Sequence, residues 1–178
     1  RIVLGVGGSA TVDGGSGILE ALGARLLDGD GRPLPRGGGA LGRLARIDLS
    51  GLAPRAREVP IDIACDVDST LLGELGAARL FGPQKGADAA AVATLEGALA
   101  HFAAIVGRDF GRDAASVISG GAAGGIAASL FGVLGARLLP GVDLVLDAVG
   151  FDEALSGASL CMTAEGLLDR QSLRNKGP

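Results

Sequence analysis

The 178-residue sequence has no tryptophan and no tyrosine, only one histidine and only two cysteines. Without tryptophan or tyrosine it has little material for a platform that stacks nucleic-acid bases. The net charge is −4 and there is no basic stretch, so we expect no nucleic-acid partner. No cluster of histidine and cysteine suggests zinc, and His101 is predicted to lie at the surface. Cys65 and Cys161 lie in apolar runs and are interpreted as free, buried thiols of a cytoplasmic protein.

Long apolar runs are also missing: none reaches the roughly 20 residues that a membrane crossing needs, and no signal peptide is recognisable. We therefore expect no membrane partner. Lysine is scarce as well: of the 16 lysine and arginine residues, only Lys85 and Lys176 are lysines. Both stand beside glycine and proline, and their isolation among arginines indicates a need for a compact ammonium group. Glycine is in excess, with 32 residues, which indicates many loops.

The chain opens with a strand, a glycine-rich loop and a helix. Residues 2–6 are apolar and predict a buried strand over 1–6, and the helical spacing of apolar residues predicts a helix over 16–28. The loop between them carries four glycines, two hydroxyls and one carboxylate. Glycines there let backbone N–H groups turn toward an anion, and the following helix adds its positive dipole end. We predict a phosphate or carboxylate site whose candidate residues are Gly7, Gly8, Ser9, Thr11, Asp13 and Gly14.

Strand-like and helix-like segments alternate along the rest of the chain. Strands are predicted over 59–64 and 159–163, and helices over 71–80, over 89–107 after an N-cap at Asp88, and over about 120–134. Residues 142–149 fit either type. The alternation predicts an α/β fold, a mostly parallel sheet with flanking helices.

Polar side chains follow three of the predicted strands. The glycine-rich loop follows the first strand, Asp66 and Asp68 follow the second, and Thr163 and Glu165 follow the third. Ligands of parallel sheets collect at the carboxyl ends of strands. The sequence therefore predicts one site built from all three loops.

A dinucleotide-binding oxidoreductase domain is an alternative interpretation. Residues 5–10 match the pattern G-x-G-x-x-[GA], and Asp28 and Asp30 stand near the distance of a ribose-binding carboxylate. However, the loop continues to Gly15 before the helical pattern begins, and both aspartates lie in a glycine-rich turn. No G-x-x-x-x-G-K-[ST] motif is present, so an ordinary P-loop is not expected.

Five segments occur along the chain in a fixed order. They are Gly7-Gly8-Ser9-Ala10-Thr11-x-Asp13-Gly14-Gly15, Ala64-Cys65-Asp66-Val67, Phe81-Gly82-Pro83-Gln84-Lys85-Gly86-Ala87, Gly121-Ala122-Ala123-Gly124-Gly125 and Glu165-Gly166-x-x-Asp169-x-Gln171-x-Leu173. Together they resemble the bacterial glycerate kinase family that is unrelated to P-loop kinases, and the resemblance covers essentially the whole chain.

The resemblance implies a cytoplasmic enzyme that uses ATP and Mg²⁺ to phosphorylate D-glycerate. It also implies that residues 1–178 form one α/β unit, the central portion of a roughly twice-longer enzyme whose active site lies between two α/β domains. Because half of that site would belong to a flanking domain, we expect this chain alone to be inactive.

The same resemblance suggests roles for individual residues. Lys85 would neutralise the transferring group, and Gln84 lies beside it in the same loop. Among Asp13, Asp66 and Glu165, one would hold Mg²⁺ and another would orient or deprotonate the attacking hydroxyl, with Asp13 and Glu165 as the metal candidates and Asp66 and Glu165 as the catalytic ones. A helix cap is the competing role for each carboxylate.

The chain departs from the family pattern at several positions. The family usually has asparagine where this chain has Val12, Asn-Pro where it has Ser69-Thr70, glycine where it has Ala164 and arginine where it has Leu167. Leucine cannot replace the charge-assisted hydrogen bonds of arginine. A binding module of the same fold with a decayed site is therefore a further alternative.

Overall fold

A computed structural model describes residues 1–164, and its regular elements alternate between strands and helices. In chain order they are β1 (Ile2–Gly5), α1 (Ser16–Ala21), β2 (Arg25–Leu27), β3 (Arg46–Asp48), α2 (Pro54–Glu58), β4 (Ile61–Ala64), α3 (Ala77–Phe81), α4 (Ala89–Phe110), α5 (Ala122–Ser129), β5 (Arg137–Leu139), α6 (Gly141–Val149) and α7 (Phe151–Leu155). Short 3₁₀ turns cover Gly38–Arg43 and Pro83–Lys85, and a π-helical turn over Leu130–Leu134 extends α5.

The central sheet is parallel and has the strand order β1-β4-β5. Leu4 stands opposite Ile63, which in turn stands opposite Leu138. A separate antiparallel pair joins β2 to β3. The predicted α/β class with a parallel sheet and flanking helices is thus confirmed, and β1 and β4 deliver the two sequence-predicted loops to the same edge.

Several predicted boundaries were wrong. The first helix ends at Ala21 instead of residue 28, because Gly23 turns the chain with φ of 98° against the backbone of Gly51, and β2 follows. The helix expected over 71–80 is confined to Ala77–Phe81.

The carboxyl-terminal part of the described chain also differs from expectation. Residues 142–149 lie in helix α6. Residues 159–163 form no strand, and the third strand of the sheet is β5, which the sequence did not indicate. Cys161 is exposed rather than buried, whereas Cys65 is buried as expected. Burial raises the pKa of the Cys65 thiol to about 11.

Helix α4 forms the centre of the larger hydrophobic core. Asp88 caps it as predicted, since its carboxylate accepts the N–H of Ala91 at 2.8 Å. Leu99, Phe102 and Val106 are fully buried along one side. Within residues 1–164, α4 is the one helix long and apolar enough to cross a membrane by length and composition. Its packing in the core accounts for that composition.

An ion pair between a buried carboxylate and an exposed arginine ties two strands of the sheet together. Asp62 in β4 is fully buried, and its two oxygens accept hydrogen bonds from Arg137 in β5 at 2.6 and 2.9 Å. Arg1 donates a further hydrogen bond to the same carboxylate. The hydrogen bonds from Arg137 hold the pKa of Asp62 below its usual range, against the opposing effect of desolvation.

Candidate functional site

The glycine-rich loop leaves β1 at the carboxyl edge of the sheet and turns sharply at Gly8, which has φ of 67°. Glycine takes this conformation without the strain that a Cβ would cause. Within residues 1–164, the N–H groups of Gly7, Gly8 and Ser9 donate to no backbone carbonyl. These donors are thus available to an anion.

Lys85 closes the loop from the side. The 3₁₀ turn Pro83–Lys85 and Gly86, with φ of 94°, bring its ammonium group to the glycine-rich loop. The Nζ atom donates to Ser9 Oγ at 3.0 Å and to the Thr11 carbonyl oxygen at 2.7 Å. Partial burial lowers the pKa of Lys85 from its ordinary value, and the charge of Asp13 opposes that shift. Direct contact therefore joins two segments of the sequence resemblance, although Ser9 and Lys85 are 76 residues apart along the chain.

A third loop borders the cavity, and it belongs to a segment of the sequence resemblance whose conformation was wrongly predicted. The run 120–125 was expected to open a helix, but Ala123, Gly124 and Gly125 all adopt left-handed backbone angles before the helix continues. The Gly14 N–H donates to the Gly124 carbonyl at 3.0 Å. A Cβ on Gly124 would lie 2.0 Å from the Thr11 carbonyl oxygen. This close backbone contact requires glycine and places Ala122 and Ala123 beside the cavity.

A cavity of about 190 Å³, open on one side, lies between these loops. The residues that line it are Val6, Gly7, Gly8, Ser9, Val67, Phe81, Gln84, Lys85, Ala122 and Ala123. Five of them are sequence-predicted site residues. The other lining side chains are apolar, and Lys85 is the only charged residue in the set. The cavity can therefore bind a small anion with a short hydrocarbon part.

Besides Asp13, two predicted site residues of the first loop lie outside this lining. Gly14 is buried in the core, where a Cβ would lie 3.0 Å from Leu41 and 3.1 Å from Leu99. Thr11 contributes its carbonyl oxygen to Lys85. Both residues shape the loop from behind the cavity.

The Asp13 carboxylate binds the start of α1. It accepts the N–H of Gly15 at 3.0 Å, and more weakly the N–H of Gly17 and the hydroxyl of Ser16, each at 3.4 Å. This is the capping role that competes with metal binding. Asp13 is partly exposed, and its charge interacts with that of Lys85.

Asp66 lies at the start of α6. One carboxylate oxygen accepts the N–H of Gly141 at 2.9 Å, and a Cβ on Gly141 would lie 2.8 Å from the other oxygen. Asp66 remains exposed at the edge of the sheet next to Val67, which does line the cavity. Its observed contact is that of a helix cap.

The remaining acidic candidate, Glu165, lies outside the described residues, as do Lys176 and the departure at Leu167. Among residues 1–164, no group of three or more histidine, cysteine, aspartate and glutamate side chains could hold a metal ion. The described wall of the site thus offers one cation, backbone N–H groups and two carboxylates engaged at helix starts.

The departure at Val12 affects the core rather than the cavity, because this side chain is 9% exposed and packs in the larger hydrophobic cluster. Asp28, the ribose-binding candidate of the dinucleotide alternative, accepts the N–H groups of Asp30 and Arg32 and so closes its own turn. Neither observation adds a contact to the cavity.

Comparisons with known proteins identify the family. The sequence matches the family described as the glycerate kinase family over residues 1–178. It is 48% identical to the glycerate kinase of Halalkalibacterium halodurans and 44% identical to the glycerate 2-kinase of Escherichia coli; each alignment covers the whole chain but 47% of the relative. The solved structure of a Salmonella typhimurium LT2 protein assigned as glycerate kinase 2 has a TM-score of 0.89 at 44% identity, with 99% of this chain and 47% of that one covered. The chain spans about half the length of these relatives, and it belongs to the glycerate kinase family.

Proposed function

We propose that the intact protein transfers a phosphoryl group from ATP to D-glycerate. The observation that carries this proposal is the Lys85 ammonium group, which two hydrogen bonds fix at a cavity with unpaired glycine N–H groups. The family relationship supports the identity of the reaction, since relatives are named glycerate kinases. Phosphoryl transfer depends mainly on positioning and on stabilisation of negative charge, and this wall supplies both.

The residues of the described wall have distinct tasks in this proposal. Gly7, Gly8 and Ser9 present N–H groups to an anionic group, and Lys85 neutralises negative charge there. Gln84 offers an amide at the cavity surface for a hydroxyl or a carboxylate. These interactions hold the reactants still and exclude part of their water.

ATP supplies the transferable phosphoryl group, and Mg²⁺ neutralises and bridges its phosphates when bound. Mg²⁺ usually binds one or two protein carboxylates together with phosphates and waters, so a complete protein cage is not required. Asp13 fits this need in part, because it lies close to Lys85 and is partly exposed. We propose Asp13 and Glu165 as the metal ligands, and Asp66 or Glu165 as the group that orients or deprotonates the hydroxyl.

We also propose that residues 1–178 form one α/β unit, and that a further α/β domain supplies the other wall of the site. The cavity is open on one side, and the relatives are about twice as long as this chain. Buried, free Cys65 is typical of a reducing compartment, which supports a cytoplasmic location.

The test is ADP release by the intact protein with Mg²⁺ and ATP, with and without D-glycerate. We expect release to require D-glycerate, and residues 1–178 alone to give none. Asp13→Asn separates two roles, since asparagine caps a helix about as well as aspartate but is a poor Mg²⁺ ligand. A shifted Mg²⁺ dependence supports metal binding by Asp13. An intact protein that binds both ligands without turnover would contradict the kinase proposal.

A further inference from the structure

Strand β1 combines an apolar sequence with an exposed position. Its residues are Ile-Val-Leu-Gly, and continuous apolar runs of this kind are typical of parallel strands that are covered on both faces. Within residues 1–164, however, Ile2 is 49% exposed and Val3 is 56% exposed. Their side chains point to opposite faces of the sheet, so both faces of β1 are open at this end. The strand that its sequence predicts to be buried thus lacks its cover in the described part of the chain.

One edge of β1 faces no strand within residues 1–164, where β4 is its single partner. The Ile2 N–H donates to the Pro60 carbonyl oxygen at 2.8 Å, on the side of β4. Because successive N–H groups of a strand point to opposite edges, those of Val3 and Gly5 point away from β4. Charged side chains usually protect an outermost strand, as exposed Arg137 does in β5 at the opposite edge of the described sheet. Strand β1 has no charged residue, so its free edge has the composition of an interior strand.

An apolar groove of about 590 Å³ adjoins this edge. Strand β1 contributes Ile2 and Leu4 to its lining, and helix α1 with its C-terminal end contributes Ile18 and Leu22. The last three of these side chains are half-buried. Parallel strands are joined by crossover segments, usually helices, that pack on a face of the sheet beside the strands. The groove has the position and the polarity that such a segment needs.

We propose that a β-strand from the part of the intact protein outside residues 1–178 pairs with Val3 and Gly5 along the free edge of β1, and that the segment joined to this strand fills the apolar groove. The chain covers 47% of its Halalkalibacterium halodurans relative, so more than half of a protein of that length lies outside these residues. The sheet β1-β4-β5 thus continues beyond β1, which becomes an interior strand. The inference is independent of the kinase reaction.

Hydrogen exchange of the intact protein, resolved to single amides, tests the strand pairing. The Leu4 N–H is the internal reference, because it points to β4 whether or not a further strand is present. We expect the Val3 and Gly5 amides to exchange within about tenfold of the Leu4 rate. Exchange of both at the rate of an unstructured peptide, with Leu4 protected, would overturn the pairing. Protection that disappears on dilution, together with a halving of the mass in light scattering, would also overturn it, because a second copy would then be the partner.

A charge placed in the groove tests whether the groove is filled. Ile2→Glu puts a carboxylate against the expected apolar segment, and Ile118→Glu is the matched control, because Ile118 is 67% exposed and does not line the groove. In thermal unfolding of the intact protein, Ile2→Glu should lower the melting temperature by about 5 °C or more relative to Ile118→Glu. If Ile2→Glu does not fold, Ile2→Thr against Ile118→Thr gives the same comparison with a smaller shift. Equal melting temperatures within a pair would refute the filled groove.

Discussion

Replacing Lys85 with methionine in the intact protein should reduce turnover far more than stability. Methionine keeps most of the apolar stem but loses the hydrogen bonds to Ser9 and Thr11. At about 0.5–1.5 kcal/mol net for each bond, the folding free energy should fall by about 1–3 kcal/mol. A charge contact made to the transition state is worth about 2.7–4 kcal/mol, so turnover should fall about 10²–10³-fold.

Unfolding cannot account for such a loss. With a folding free energy of about 5–15 kcal/mol, a loss of about 2 kcal/mol leaves about 99% of the protein folded. The assay is D-glycerate-dependent ADP release at saturating substrates, together with urea unfolding of the same samples. Ser9→Ala is the control, because it removes one acceptor of Lys85 and leaves the charge, so it should lose only a small part of the turnover.

The pH dependence provides a second readout for Lys85. Burial lowers its pKa, so the protonated form and the turnover that needs it should be lost as pH rises through a value below that of an ordinary lysine. Arginine stays protonated at these pH values, so residual activity of Lys85→Arg should persist to higher pH. Normal turnover of folded Lys85→Met, or an identical alkaline limb in Lys85→Arg, would refute the reasoning.

Three further predictions follow from single contacts. Gly124→Ala should destabilise the protein by several kcal/mol in urea unfolding, since its Cβ would lie 2.0 Å from a carbonyl oxygen. Gly150→Ala is the control: Gly150 has φ of 67°, close to the 68° of Gly124, but open space surrounds it. Its free energy of unfolding should fall by only about 1–2 kcal/mol. Asp62→Asn should flatten the acid side of a plot of melting temperature against pH. The pKa of Asp62 is lowered in the folded protein, so its carboxylate stabilises the fold above the unfolded-state pKa of about 3.9. That stabilisation is lost as the pH falls through the pKa of the folded state. Exposed Cys161 should react with iodoacetamide at pH 8 before buried Cys65, whose pKa is about 11, as measured by mass spectrometry.

Each of these has a clear contrary result. Equal losses for Gly124→Ala and Gly150→Ala would show that the backbone contact between the loops does not matter. Parallel acid curves for Asp62→Asn and the wild type would remove the Asp62 ion pair as a source of acid sensitivity. Faster labelling of Cys65 would show that its surroundings open readily.

Local patterns in the sequence predicted the elements that local forces determine. The apolar run of β1 and the helical spacing and Asp88 cap of α4 were sufficient for both. The end of α1 was not predictable in this way, because Gly23 turns where its backbone meets Gly51, 28 positions away in numbering. Residues 159–163 have the composition of a strand but form none, and the third strand of the described sheet is β5 instead.

The candidate site likewise combines features that local sequence patterns predict with features that depend on distant contacts. The glycine-rich composition of the first loop and the scarcity of lysine are local signals, and they indicated Gly7, Gly8 and Lys85, which the fold brings together. The loop with Ala123 was expected to be helical because an alanine–glycine run is compatible with a helix. Its left-handed angles arise from the contact of Gly124 with the first loop, and a sequence pattern does not show that contact.

The two described carboxylates explain why the anion lies where we place it. Asp13 and Asp66 each accept a backbone N–H at a helix start, so a large part of their negative charge is balanced there. The cavity is lined by one ammonium group and by neutral residues, so its local potential favours an anion. A base or metal ligand, by contrast, needs a carboxylate with free oxygen lone pairs. This requirement makes Glu165→Gln the first variant with which to test those tasks, ahead of a change at either capped aspartate.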